Sequence, residues 1–220
     1  PVIAGAGSND TAVAIDLAQS AQKAGADAVL LVAPYYNRPS QDGLFAHYKA
    51  INDAVSIPMV IYNVPARTVV DISPETMGRI SKLANVIGVK DASGDLARVE
   101  RHRELCGDKF IQLSGNDDTA VEFCELGGVG CISVTANVAP KLCADMQAAL
   151  RKGDVAGARA LNAKLASLHR AMFVEPSPAP AKFGASLLGK SSPDVRLSIT
   201  PRTDAAKRSV RTAMETAGVL

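Results

Sequence analysis

The sequence predicts an α/β chain: a (β/α) barrel showing about six of the eight β/α units that closure needs, then a C-terminal helical region. Three observations lead there. Short, β-rich apolar runs recur at intervals of about 20 to 30 residues. Segments with helical periodicity fill the intervals. Beyond about residue 150 the apolar runs stop. Continuous apolar strands alternating with amphipathic helices make a parallel sheet with helical covering.

The first strand is Val2-Ile3-Ala4-Gly5. Gly5-Ala6-Gly7-Ser8-Asn9-Asp10 follows and resembles a dinucleotide loop, but Asp10 stands where the third glycine belongs. A carboxylate there would repel pyrophosphate. Ser8, Asn9 or Asp10 is better read as the cap of the next helix, in which Val13, Leu17, Ala21 and Ala24 share one face. Val29-Leu30-Leu31-Val32 and Met59-Val60-Ile61-Tyr62 are the second and third strands. Ser73-Pro74 opens a helix, with a capping hydroxyl before a proline whose missing N–H costs nothing in the first turn. Val86-Ile87-Gly88-Val89 is too short for a helix and reads as a buried fourth strand ending at Lys90. The cluster Asp91-Ala92-Ser93-Gly94-Asp95 reads as a turn. Phe110-Ile111-Gln112-Leu113 and Gly130-Cys131-Ile132-Ser133-Val134 complete the six.

Residues 1–153 are thus expected to form the partial barrel and 154–220 the helical domain. In the latter Leu161, Leu165, Leu168 and Met172 repeat at helical spacing, a stripe of the core or subunit-interface kind. The units run on without a break, so the two that are lacking are expected ahead of Pro1, where the chain opens with neither a start methionine nor a signal peptide.

Composition excludes several classes. At 47% hydrophobic and 21% charged the chain folds around a core. A net charge of +2, with few aromatics and none interleaved with basic patches, gives no footing for nucleic acid. No apolar stretch is long enough to span a membrane. Cysteines 106, 124, 131 and 143 form no C-x-x-C pair and read as reduced, buried thiols of a cytoplasmic protein.

In (β/α) barrels the working residues sit at the C-terminal strand ends and in the loops beyond. Three such ends carry unusual chemistry. Lys90 places an ammonium at the end of a buried strand. It can snorkel into water; alternatively, desolvation lowers its pKa, and the neutral amine attacks a carbonyl to form a Schiff base. Tyr62-Asn63-Val64-Pro65-Ala66-Arg67-Thr68 puts a tyrosine at a strand end with an arginine five residues on. Ala33-Pro34-Tyr35-Tyr36-Asn37-Arg38-Pro39 puts two phenols in a loop pinned by prolines. Rim packing and surface ion pairing are the alternatives for these. Tyr62 and Lys90, however, end consecutive strands, neighbours about 5 Å apart. A phenol beside an amine can shuttle protons as a carbinolamine loses water.

Ser114-Gly115-Asn116-Asp117-Asp118 offers two adjacent carboxylates, but His47, His102 and His169 all fall in helical segments and form no metal-binding spacing. Helix capping by Asp117 is the better reading, and Gly115 leaves backbone open to a ligand. No metal and no organic cofactor is implied.

The Tyr-Tyr-Asn-x-Pro run, the Tyr62 to Thr68 segment and Gly88-Val89-Lys90-Asp91-Ala92-Ser93-Gly94-Asp95 together resemble the dihydrodipicolinate synthase family (4-hydroxy-tetrahydrodipicolinate synthases). So do Pro1-Val2-Ile3-Ala4-Gly5-Ala6-Gly7-Ser8-Asn9, Leu113-Ser114-Gly115 and Gly130-Cys131-Ile132-Ser133-Val134-Thr135-Ala136-Asn137. The resemblance runs from residue 1 into the helical tail, and it fits this family better than the related N-acetylneuraminate lyases. It implies a (β/α)8 TIM barrel with a C-terminal helical domain, commonly a homotetramer, which condenses pyruvate with aspartate semialdehyde in lysine and diaminopimelate biosynthesis. By that resemblance Lys90 matches the Schiff-base lysine and Tyr62 its proton relay. Tyr36 matches a tyrosine that reaches across a subunit interface, and Arg67 the arginine that engages the aldehyde's carboxylate. Gly115 and Ile132 match positions lining the pyruvate pocket.

Two departures accompany the match. The family's two further β/α units, with a Gly-Thr-Thr-Gly segment that binds the pyruvate carboxylate, have no counterpart in these residues. In the family's lysine-feedback site, Asn9 and Tyr35 match, but Val13 stands where inhibited members carry a glutamate. An apolar side chain cannot bind the inhibitor's ammonium. The alternatives are another pyruvate-dependent aldolase of the superfamily, acting on sialic or 2-keto-3-deoxy sugar acids, or a truncated, non-catalytic chain with an open first strand prone to pairing.

Overall fold

The computed structural model describes residues Pro1–Leu220. In chain order the elements are β1 (Ile3–Gly5), α1 (Thr11–Lys23), β2 (Ala28–Val32), α2 (Gln41–Ala54), β3 (Met59–Asn63), α3 (Pro65–Thr68), α4 (Pro74–Ile80), β4 (Val86–Asp91), α5 (Ala97–Cys106), β5 (Ile111–Ser114), α6 (Ala120–Glu125) and β6 (Gly130–Cys131). A 3-10 turn (Thr135–Asn137) and α7 (Pro140–Arg151), α8 (Val155–Ala171), α9 (Ala179–Leu187) and α10 (Asp204–Thr216) follow. The six strands pair in sequence order, all parallel. They and their helices make an incomplete TIM barrel, to which C-terminal helices are added.

The chain divides into two compact units. One comprises Pro1–Asn116 and Leu126–Cys131, the other Asp117–Glu125 and Ile132–Leu220. In the first, alternate strand residues point into the helical layer. Val29, Leu31, Met59, Ile61 and Val89 pack there against Leu44, Ile51, Met77 and Ile80. A fully buried side chain of this size contributes about 1.5–3 kcal/mol. In the second, the stripe Leu165, Leu168 and Met172, with Leu161 partly covered, packs against Met146, Val210 and Met214.

Local chemistry explains the helix starts. Asp10 caps α1, its Oδ1 accepting the Val13 N–H at 3.0 Å. Ser73 caps α4, accepting the Thr76 N–H at 3.2 Å, and Pro74 occupies the first helical position.

Four expectations need correction. The buried face of α1 is Ala14 and Ala18, while Val13 and Leu17 are 46% and 43% exposed. Alanines let the helix lie close to the sheet, and the larger residues fall about 100° round the axis. The sixth strand stops at Cys131. The N–H groups of Val134 and Thr135 go to the Asp117 carboxylate at 2.8 and 3.2 Å instead of to a sheet ladder. Asp117 therefore caps the 3-10 turn, not the helix that follows it in sequence, and it also accepts from Ser133 Oγ. All four cysteines are free, but only Cys143 is buried. Burial, with Asp117 nearby, pushes its thiol up to about 11.

His47, His102 and His169 lie within α2, α5 and α8 and are all buried. Burial lowers the pKa of each, against the opposing pull of Asp10 on His47, of Asp91 on His102, and of Asp117 and Asp118 on His169. All three are neutral in the fold at neutral pH, and the unfolded chain binds protons first as pH falls through about 6.5. Stability is thus full above that value and declines below it, by at most about 1.4 kcal/mol per pH unit for each histidine. Urea midpoints measured from pH 7.5 to 5.5, above the carboxylate range, should hold nearly level down to about 6.5 and fall below it. A flat profile would show that the histidines titrate alike in both states.

Candidate active site

Parallel pairing of β3 with β4 places Tyr62 opposite Lys90 and Asn63 opposite Asp91. Register partners project to the same face and consecutive residues to opposite faces. Tyr62 and Lys90 accordingly share one face, and the Lys90 Nζ lies over the Tyr62 ring, 4.0 Å from its centroid. Lys90 is half-buried, less enclosed than its strand alone implies. Burial raises the Tyr62 pKa, partly offset by the charge of Arg67. The phenol is therefore protonated at neutral pH and is first of all a proton donor.

Two glycines make room for the lysine. A Cβ at Gly88 would run into the Ile111 carbonyl oxygen, so β4 and β5 pair this closely only without a side chain there. Gly115 follows β5, its N–H donating to Asp91 O at 2.7 Å. A Cβ on it would lie 2.7 Å from Ala92 Cβ and 3.2 Å from Lys90 Cε. The space beside the lysine stem exists because residue 115 has no side chain.

Arg67 stands exposed on α3, in the loop leaving β3. Thr68 Oγ1, buried, lies 3.1 Å from Val64 O and 2.8 Å from Val70 O and closes the loop on itself. Val69 ends α3 at φ 62°. Tyr36 is 87% exposed at φ 70°, outside the group around Lys90, and Tyr35 is 41% exposed. Asn37 Nδ2 reaches Asn9 O at 3.4 Å and so ties this loop to the segment before α1, where Val13 is exposed. Ile132 belongs to the second unit, half-buried just after β6. The structure thus brings Lys90, Tyr62 and Gly115 together, with Arg67 near enough to act on the Tyr62 proton.

Behind this face lies a polar layer that the sequence reading does not single out. Asn63, Asp91 and Ser114, register partners across three strands, are at most 5% exposed. Asp91 Oδ1 accepts from Ser93 N and Oγ at 2.7 and 2.6 Å. Arg98 of α5 forks onto Asp71, Nη1 to Oδ1 at 2.9 Å and Nη2 to Oδ2, and also donates to Ile72 O at 3.1 Å. Asn63 Nδ2 donates to the same Asp71 Oδ1 at 2.8 Å. The available signal is a carboxylate and an amide at buried strand ends, which demand partners. The partners lie too far along the chain to be paired by spacing.

Residues 1–217 match the dihydrodipicolinate synthetase family model. This chain belongs to that family. The 4-hydroxy-tetrahydrodipicolinate synthase of Hyphomonas neptunium is 57% identical over 221 residues, which cover all of this chain and 75% of the relative. The chloride-inhibited dihydrodipicolinate synthase of Acinetobacter baumannii, solved in complex with pyruvate, superposes with a TM-score of 0.97 at 43% identity, over 100% of this chain and 76% of that one. The enzyme from Thermotoga maritima gives the same TM-score at 39% identity, with the same coverage of both chains. The chain thus spans about three quarters of these synthases.

Gly115 offers a direct test of the packing beside Lys90. Gly115→Ala should destabilise the protein by about 1–3 kcal/mol, the usual cost of forcing atoms into a filled site. A urea midpoint equal to that of the parent would show that Ala92 and the lysine stem give way freely.

Proposed function

We propose that this protein is a lyase that condenses pyruvate with aspartate 4-semialdehyde to give 4-hydroxy-tetrahydrodipicolinate, through a Schiff base on Lys90. The observation that carries this reading is the amine of Lys90 held against the ring of Tyr62 at adjoining strand ends. Membership of the family supports it.

The neutral amine adds to the ketone of pyruvate, and Tyr62, protonated by virtue of its raised pKa, donates as the carbinolamine hydroxyl leaves as water. The resulting iminium is an electron sink, so the pyruvate methyl loses a proton and an enamine forms. Its carbon attacks the aldehyde of the semialdehyde. Cyclisation then displaces the lysine. Gly115 keeps the side of Lys90 clear for pyruvate. Arg67, exposed on its loop, serves the semialdehyde carboxylate, for which a guanidinium fork is the fitting partner.

In this reading the protein works as a homo-oligomer, a tetramer built as a dimer of dimers, and the exposed Tyr36 completes the relay in a neighbouring subunit. The free thiols favour a reducing, cytoplasmic setting.

Treatment of the purified enzyme with pyruvate and borohydride should leave a reduced secondary amine on Lys90, read by peptide mapping. An adduct on Lys49 or Lys82 instead would sink the assignment. Arg67→Ala should raise the KM for the semialdehyde by about 10- to 100-fold, the range expected for losing a hydrogen bond to a charged group. The yield of the pyruvate adduct should stay close to that of the parent. Equal loss of both would return Arg67 to a structural or pyruvate-binding role.

A further inference from the structure

We propose that Arg98 and Asp71 form a positioning clamp, on the face of the sheet opposite Lys90, that aims Arg67 at the carboxylate of the aldehyde substrate. The role of Arg67 is the one assigned above, and the clamp rests on it.

The loop carrying Arg67 leaves the sheet at Asn63 and returns at Ile72. Asn63 grips both ends of the return, donating to Asp71 and accepting the Ile72 N–H at 3.1 Å. That amide fixes the base of the loop to β3 alone. Arg98 ties the same two residues to α5, the helix that follows the lysine-bearing strand. The Arg98 side chain is 14% exposed and that of Asp71 42%, so the pair is only partly sheltered, and its two parallel bonds are what set it apart from the solvated pairs that contribute little. A planar fork on a carboxylate fixes orientation as well as distance, which an ammonium cannot reproduce. Burial opposes the Arg98 charge, but Asp71, Asp91 and Asp95 outweigh it and raise its pKa.

Between the anchored ends the backbone is strained. Val69, two residues from Arg67, holds φ 62°, a left-handed conformation that β-branched residues avoid. Such a conformation persists only where the surroundings over-determine it. Thr68 and the Asn63–Asp71–Arg98 cluster are the surroundings that do so here. Loosening the cluster lets Val69 relax and swings the guanidinium two residues away. A misplacement of about 1 Å can cost on the order of 100-fold in rate. Lys90 and Tyr62 sit on the other face and are set by strand register, so imine formation is spared.

Arg98→Lys and Asp71→Asn separate the clamp from general support, because both leave a cation near the buried Asp91. In the purified enzyme each should raise the KM for aspartate semialdehyde about tenfold. The KM for pyruvate and the borohydride-trapped adduct on Lys90 should change less than twofold. Hydrogen exchange should speed up at the amides of Arg67, Thr68 and Val69, which bond to Val64 and Pro65 carbonyls in the native loop. Added to Arg67→Ala, Arg98→Lys should cause no further loss, since both act through one guanidinium. An unchanged semialdehyde KM, a parallel rise for both substrates, or additive losses would overturn the clamp. If Arg98→Lys fails to fold, Asp71→Asn decides by the same measurements. If the parent forms no imine with pyruvate, the enzymatic reading fails on its own. The exchange result then judges the clamp, and unaltered protection of residues 67–69 overturns it.

Discussion

Tyr62 and Lys90 meet because β3 and β4 run parallel and, beyond an irregularity at Met59/Val60, hold one register from Val60 to Asn63, and most of what is distinctive in the first unit depends on that alignment. A slip of β4 by a single residue would send Lys90 to the helical layer and leave Tyr62 facing Val89 or Asp91 in its place. Several features resist the slip. Gly88 lets β5 approach where any side chain would collide with Ile111. Val89, between Gly88 and Lys90, is wholly buried against the helices and would have to surrender its place. Gly115 donates to the Asp91 carbonyl and so carries the register from β4 into the turn after β5.

The same alternation forces polar groups into the layer beneath. An Asn, an Asp and a Ser at the ends of three neighbouring strands are nearly inaccessible, and burying such groups without partners costs several kcal/mol. Asp91 is met by Ser93 in its own turn through Oδ1 alone, its buried Oδ2 having no hydrogen-bond partner, and Asn63 by Asp71 and Ile72 across the loop. Gln41 extends the pattern, its amide donating to Asp71 O at 2.8 Å and accepting the Ser73 N–H at 3.1 Å. The N-terminus of α2, the loop after β3 and the start of α4 are thereby joined through polar side chains. A buried ion pair is weak evidence for stability, but its directional bonds specify one arrangement where apolar contacts would allow several. At a site whose groups must be held to within about an ångström, that is the more useful property.

How much of this was legible depends on the range of the interaction. All six strands could be read from apolar runs, and the caps at Asp10 and Ser73 from residue types acting within three positions. The pairing of Tyr62 with Lys90 was legible because a parallel sheet makes consecutive strands neighbours. Long-range partners were not. Asp117 looks like the cap of the nearest helix, yet its carboxylate reaches Ser133, Val134 and Thr135 some sixteen to eighteen residues on. Apolar periodicity points to the wrong face of α1 because it weights Val and Leu over Ala, whereas close approach to a sheet selects the small residue. Arg98 carried no signal, since an arginine in a charged helix reads as solvated until its fold partner is known.

The backbone adds a line of argument that composition cannot. Only three residues other than glycine adopt positive φ in the whole chain: Tyr36, Arg38 and Val69. Each conformation costs on the order of 1–3 kcal/mol, and folding alone gives no reason to keep it where an unstrained turn would serve. All three fall in the loops after β2 and β3, which also carry Tyr35 and Arg67. The strands beneath them are among the best-packed parts of the first unit, with Leu31, Met59 and Ile61 fully buried. Strained loops on a rigid base are what a site needs if exposed side chains are to be held in one orientation before any ligand arrives. The base supplies the stability, and the loops use part of it to fix geometry. Val69→Gly would relieve the strain at that residue at the expense of a more mobile chain, and so weaken the constraint that orients Arg67.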